Sequence, residues 1–193
     1  PHVFTDSDGQ SYLLWGGENG IHSSALSGDG LRATGDKTIL PRNAAWEFPN
    51  IENPTMVRVG RTYHLFYSAN DWQTASYATG WATCTSPDGS CTRQSRQAPW
   101  LASFDTLAGP GGLDLFVDGL NQLRAVLHAW DPAKVGDLFW GRRAYLGHVD
   151  LSDSSPRITI ANGTQVAAAG RAQGGWWTTS ATGIVRSHSG APM

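Results

Sequence analysis

Charge is scarce in this sequence: 16% of its 193 residues are Asp, Glu, Lys or Arg, the formal net charge is -2, and Lys and Arg form no run. A chain without a basic stripe has no electrostatic footprint for a polyanion or an anionic bilayer, so neither nucleic acid nor a membrane is an expected partner. Long apolar runs are also missing. No stretch of about 18 apolar residues exists to span a bilayer, and the N-terminus has neither the basic nor the apolar region of a signal peptide. If the protein is exported, its signal lies outside this sequence. Convincing helix signals are absent as well. Cysteine is limited to Cys84 and Cys91, which bracket the turn sequence Ser86-Pro87-Asp88-Gly89. A short hairpin closed by a disulfide is the expected arrangement, with free thiols as the alternative, and it fits an oxidising compartment. Two thiols alone make no zinc site.

What is present is 40% hydrophobic residues, nine Trp and twenty-three Gly. That is enough to bury one sizeable core, and flat indole rings in a turn-rich chain suit both core packing and stacking on sugar faces. Strand signals recur along the chain. Tyr12 to Trp15 follows the turn Asp8-Gly9, Thr62 to Tyr67 follows Val59-Gly60, and Leu123 to His128 follows Asp118-Gly119. Each is preceded by a short apolar strand, at Val3-Phe4, Thr55 to Val59 and Leu113 to Val117. Each is followed by another, at Ile21 to Leu26, Tyr77 to Cys84 and Ala144 to Leu151. A three-strand phrase thus recurs about every 50 residues, which favours an all-β propeller over a β-sandwich.

Two segments are expected: 1–155 as propeller blades, and 156–193 as a Gly/Ala/Ser/Thr-rich C-terminal segment, either a partial blade or a surface-protein-like repeat. The latter contains a candidate hairpin, Gly174 to Thr178 with Gly183 to Val185, and a glycosylation sequon at Asn162-Gly163-Thr164.

Several phrases of the first segment together resemble glycoside hydrolase family 43, the five-bladed propellers of arabinofuranosidase and xylosidase type. Pro1 to Gly9 with Tyr12 to Gly16 resembles that family's second-blade opening. Ile51-Glu52-Asn53-Pro54 with Tyr63 to Ser68 is similar to the phrase carrying its catalytic glutamate. Gly109-Pro110-Gly111, His128-Ala129-Trp130 and Gly141-Arg142-Arg143 resemble its last blade. The order and spacing agree over about residues 1 to 152. The resemblance implies inverting hydrolysis, in which one carboxylic acid protonates the leaving oxygen and one carboxylate activates water from the opposite face. Glu52 is the implied acid, at the start of the blade's inner strand, where propeller side chains converge on the axis. Glu47 is the competing carboxylate. Arg142 is the implied substrate clamp and Arg143 its outward-facing neighbour. Trp15, Trp72 and Trp130 are candidate stacking rings, and Phe4, Ser68 and His128 complete the expected substrate-binding set.

The sequence departs from the family pattern in two ways. The base expected in a first blade, and the acid-tuning aspartate expected just before the equivalent of Pro1, have no counterpart here; Asp6 and Asp8 read as hairpin caps. At about 50 residues per blade, a five-bladed domain needs roughly 250 to 300 residues, so this sequence is expected to be a piece that lacks the N-terminal part. Gly112 stands where many relatives carry a His tied to a central metal or water. No cofactor is therefore expected, although a central calcium occurs in the family, and His128 is the residue that can take that place. The expected function is a secreted glycosidase acting on plant-type or cell-wall polysaccharide, a monomer when complete and inactive as these residues alone. A non-catalytic carbohydrate-binding propeller and a structural cell-surface protein are the alternatives.

Overall fold

The structure, a computed structural model, describes residues 1–160 except 105, 140 and 154, together with the backbone of three further strands at 164–166, 176–179 and 184–188. The strands of the first sheet follow one another in sequence order: β1 (His2–Thr5), β2 (Ser11–Gly17), β3 (Gly20–Leu26) and β4 (Ala33–Pro41). The next repeats that order with β5 (Ile51–Val59), β6 (Thr62–Ala69), β7 (Ala78–Cys84) and β8 (Cys91–Arg93). A third holds β9 (Ala108–Val117), β10 (Leu123–Trp130), β11 (Arg142–Asp150), β12 (Arg157–Ile160) and β13 (Thr164–Val166). These are antiparallel blades of a propeller. Each has a fourth strand beyond the three-strand phrase, too exposed in β4 or too short in β8 to show an apolar pattern. Two last strands, β14 (Trp176–Thr179) and β15 (Ile184–His188), pair with each other, and β15 runs parallel to β5, so they extend the second sheet. Gly174, Gly175 and Gly183 of the expected hairpin, and Asn162 and Gly163 of the sequon, lie outside the described residues.

Burial explains the stacking. From Tyr63 to Ala69 every residue of β6 is buried, which requires a layer on both faces of the sheet. Alternate side chains go opposite ways. Leu65 and Tyr67 join Phe4, Leu14, Ile21, Ile51 and Met56 in a core shared with the first sheet. Phe66 joins Val57, Trp81, Leu113, Ala125 and Leu127 in a core shared with the third.

Polar groups within this packing are paired. Glu47, completely buried at 0% exposure, accepts from Arg93 Nε at 2.6 Å, from the Tyr67 hydroxyl at 2.8 Å and from the amides of Asn43 and Ala44 at 3.1 Å. It ties the second blade together and is not presented to a ligand. Asp6 takes the amide of Ser7 at 2.7 Å, Arg58 Nη1 at 2.6 Å and the Tyr63 hydroxyl at 2.5 Å. Asp8 accepts from the amide of Gln10 at 2.9 Å, a turn cap. Cys84 and Cys91 are joined in a disulfide that closes the β7–β8 hairpin.

Two predictions follow from these pairs. Replacing Arg93 with Met strands the Glu47 carboxylate in the core, and Arg93→Met is expected to lose about 3 to 5 kcal/mol in urea denaturation. Burial acts to raise the pKa of Asp6, but hydrogen bonds from Tyr63, Ser7 and Arg58 outweigh it and hold the carboxyl below its usual value. The stabilisation is therefore present above the unfolded-state pKa of about 3.9 and is lost as pH falls through the lower folded-state value. Asp6→Asn is expected to be less stable than the parent at neutral pH, with the difference closing in denaturation below about pH 4.

Candidate functional site

Glu52 stands near the start of β5, where the ladder with β6 slips between Glu52 and Thr55. Asn53 adopts a left-handed φ of 48°, and Pro54 has no amide hydrogen to give the ladder, so the strand bulges beside the glutamate. Glu52 lines a cavity of about 390 Å³ with Asn53, Trp72, Tyr77, Gly112, His128 and Arg142. The Tyr77 hydroxyl donates to Glu52 Oε1 at 2.8 Å, and Oε2 has no hydrogen-bond partner among the described residues. Burial raises the Tyr77 hydroxyl well above the ordinary phenol value; Ser68 lowers it and Glu52 raises it further. Tyr77 is thus a neutral donor to Glu52.

Two aromatic rings lie across the backbone of β9. Tyr77 and His128 stack at 5.8 Å with an interplanar angle of 8°. A Cβ at Gly111 would meet the Tyr77 ring at 2.2 Å, and one at Gly112, whose φ is +62°, would meet the His128 ring at 2.5 Å. Gly112 has no side chain because the His128 imidazole occupies its space. The ring is neutral: burial first, and the nearby Arg142 cation second, push His128 down to about 4. Its buried Nδ1 has no hydrogen-bond partner among the described residues. As a metal site this donor set does not fit, since Gly112 offers no ligand atom and no cluster of three or more His, Cys, Asp or Glu that could hold an ion occurs among the described residues.

Arg142 enters from β11. Its guanidinium carbon lies 4.9 Å from the Trp72 ring centroid and 5.0 Å from that of Trp130, and Nη2 donates to the Trp72 carbonyl at 3.3 Å. Burial draws its pKa down from the usual arginine value, while Tyr77 and Glu52 act to raise it. Arg143 points the other way, to Asp131 at 3.4 Å.

Of the residues expected from sequence, the cavity thus gathers Glu52, Trp72, His128 and Arg142. Three others have buried side chains. Phe4 is 1% exposed and packs edge-on against Tyr63, while Ser68 and Trp130 are both 0% exposed. Ser68 serves the site from beneath: it accepts from the Gly112 amide at 2.8 Å, and its hydroxyl acts to lower the pKa of Tyr77. Trp130 supports Arg142 and donates its indole N–H to the Trp72 carbonyl at 2.9 Å. Trp15 lies outside this cavity, stacked on His22 at 5.4 Å. Sequence reading missed Tyr77 as a site residue, taking it for the first residue of a strand. The signal available was the run Gly109-Pro110-Gly111-Gly112, since glycines within a strand mark the close approach of another group.

The His128 ring on Gly112 makes a direct test. Gly112→Ala is expected to lose about 1 to 2 kcal/mol for the left-handed backbone alone, and more for the steric contact, seen as a lower thermal midpoint and altered near-ultraviolet dichroism of the Tyr77 and Trp72 cluster. Adding His128→Ala should recover the steric share. A single variant that melts with the parent contradicts the contact.

The model of the glycosyl hydrolases family 43 matches residues 1–156. No curated protein sequence matches the chain. Among solved structures, a thermostable family-43 glycoside hydrolase is similar, with TM-score 0.72, 23% identity and 89% of this chain covered. So are an endo-1,4-beta-xylanase from Bacteroides thetaiotaomicron, with TM-score 0.71, 25% identity and 86% covered, and an alpha-L-arabinofuranosidase from Lactobacillus brevis, with 0.64, 18% and 85%. The chain spans 60%, 58% and 53% of the lengths of those three. With the family model covering most of the sequence and the blades superposing on those of family-43 propellers, the chain belongs to the glycosyl hydrolases family 43.

Proposed function

We propose that this chain carries the acid-bearing wall of a site that hydrolyses O-glycosidic bonds in arabinose- or xylose-containing polysaccharide with inversion, in a secreted protein. The observation that carries the reading is Glu52: one oxygen is held by Tyr77 and the other is unpartnered among the described residues, in a cavity with a clamping cation and an indole ring. In inverting hydrolysis the bond from the anomeric carbon to the leaving oxygen breaks with its electron pair going to that oxygen, which takes the acid's proton. Water bonds the anomeric carbon from the opposite face and gives its proton to a second carboxylate. Glu52 suits the first role, Arg142 suits binding of sugar hydroxyls, and Trp72 offers an apolar face. Similarity to a xylanase and an arabinofuranosidase supports a pentose substrate. The disulfide between Cys84 and Cys91 supports an oxidising compartment.

A second reading, a carbohydrate-binding propeller without catalysis, is favoured by one observation. Glu52 is the single carboxylate lining this cavity among the described residues, and the mechanism requires two.

The 193-residue chain is therefore expected to bind xylo- or arabino-oligosaccharide, measured by calorimetry, and to turn over aryl xyloside and aryl arabinofuranoside negligibly. Binding should survive Glu52→Gln and weaken about tenfold in Arg142→Ala, since bonds to a charged group are worth about 1.5 to 3 kcal/mol. Absence of sugar binding rejects both readings. Turnover that disappears in Glu52→Gln would place the second carboxylate within these residues and reject the binding-only reading.

A further inference from the structure

A separate cavity of about 500 Å³ opens at the other end of the second blade, lined by Arg58, Arg61, Thr62, Thr85 and Thr92 beside Cys84. Arg58 stands six residues along β5 from Glu52, which at about 3.3 Å per residue puts the two residues roughly 20 Å apart. The two cavities share no lining residue.

The walls of this cavity are fixed by contacts already built into the blade. Arg58 Nη1 donates to Asp6 at 2.6 Å and to the Ser7 hydroxyl at 2.8 Å, and its Nε donates to the Gly60 carbonyl at 3.0 Å. Its guanidinium carbon lies 5.2 Å from the Tyr63 ring centroid. These bonds leave Nη2 without a partner among the described residues. The β7–β8 hairpin forms the other side, where Cys84 and Cys91 pair across the strands and are bridged by the disulfide. Thr85 and Thr92 each follow one of those cysteines in sequence.

Donors dominate the lining. Arg61 is exposed and has no partner among the described residues, and neither have the hydroxyls of Thr62, Thr85 and Thr92. No Asp or Glu lines the cavity. Asp6 compensates the charge of Arg58, which leaves that of Arg61 unanswered. A guanidinium has donors only, set in a planar fork that matches the oxygens of a carboxylate or phosphate, and hydroxyls can donate beside it. Acceptor oxygens carrying negative charge meet that arrangement. A neutral polyol would bring donors of its own and leave the charge of Arg61 unpaired.

We propose that this cavity is a second binding site, for an oxyanion, in which Arg61 supplies the charge and Arg58 and the three threonine hydroxyls complete the donor set. Two sources offer that chemistry: the carboxylate of a sugar acid and a free inorganic anion. The volume falls within the range of about 300 to 1,000 Å³ typical of sites for small organic molecules, more than an inorganic anion fills, and favours the sugar acid. Such a site holds the protein to an acidic saccharide at a distance from Glu52, and it does not depend on the reading of that residue.

The test titrates the isotope-labelled 193-residue chain with sodium glucuronate, glucose and inorganic phosphate, following the backbone amides by NMR. Glucuronate is expected to shift the amides of Arg61, Thr62, Thr85 and Thr92 and to bind about tenfold more tightly than glucose, because hydrogen bonds between charged groups are the stronger ones. Arg61→Ala should abolish that tenfold difference. Its side chain is exposed and unpartnered, so folding is preserved. Thr92→Val keeps every charge and removes one hydroxyl, and it should weaken glucuronate binding about threefold. Phosphate bound more tightly than glucuronate at the same amides overturns the sugar acid and assigns the oxyanion site to an inorganic ion. The proposal as a whole is overturned if neither anion shifts these amides, if glucose binds as tightly as glucuronate, or if Arg61→Ala leaves anion affinity unchanged. Parental glucuronate affinity in Thr92→Val reduces the effect to attraction by surface charge and overturns it as well.

Discussion

The β6 strand is covered on both faces, and the rest of the molecule is arranged around that constraint. A sheet with one wet face needs one packing partner; this one needs two, and its alternating side chains feed separate cores on either side. The first and third sheets are held at a fixed relation to the second by Leu65 and Tyr67 on one face and Phe66 on the other. The ends of β5 and β9 are thereby brought together, and the Glu52 cavity lies where they meet. Removing a side chain such as Phe66 would therefore disturb site geometry as well as stability, because interiors this densely packed transmit displacement.

Within that frame Tyr77 connects the parts of the site. It touches three blade elements at once: it donates to Glu52 on β5, lies against Gly111 of β9 and stacks on His128 of β10. The glycines of β9 provide the space for it, and the neutral His128 ring in turn fills what a side chain at 112 would otherwise occupy. The ring of His128, from the neighbouring strand, takes the volume that a side chain at 112 would need.

Glu47 and Glu52 show how environment divides two similar carboxylates. Both lie near the entry to β5, five positions apart. Glu47 is fully buried and satisfied by Arg93, Tyr67 and two backbone amides, an arrangement that favours a static structural anion. Glu52 has a single donor and borders the cavity that holds Arg142, which leaves an oxygen for a ligand. The tryptophans divide in the same way: Trp130 became support for Arg142, and Trp72 kept a face toward the cavity.

Sequence by itself determined the all-β class, the repeated hairpins, the bridged Cys84–Cys91 turn and the position of Glu52 at the start of an inner strand, because turn chemistry and two-residue alternation are local properties. It also placed Arg142 among the candidates through the family phrases, and Trp72 through the capacity of an indole ring to stack on a sugar face. It did not separate Trp72 from Trp130, or Glu52 from Glu47, by any property of the residues themselves; each pair consists of identical side chains whose burial is decided by sheets distant in the chain. The burial of Phe4 and Ser68 was not legible for that reason, since their facing neighbours come from β6 and β9. Tyr77 became visible only when segments more than twenty residues apart were laid side by side. Local chemistry determined which residues this protein has at its strand ends; tertiary packing decided which of them meet, which are sealed, and which remain open to a ligand.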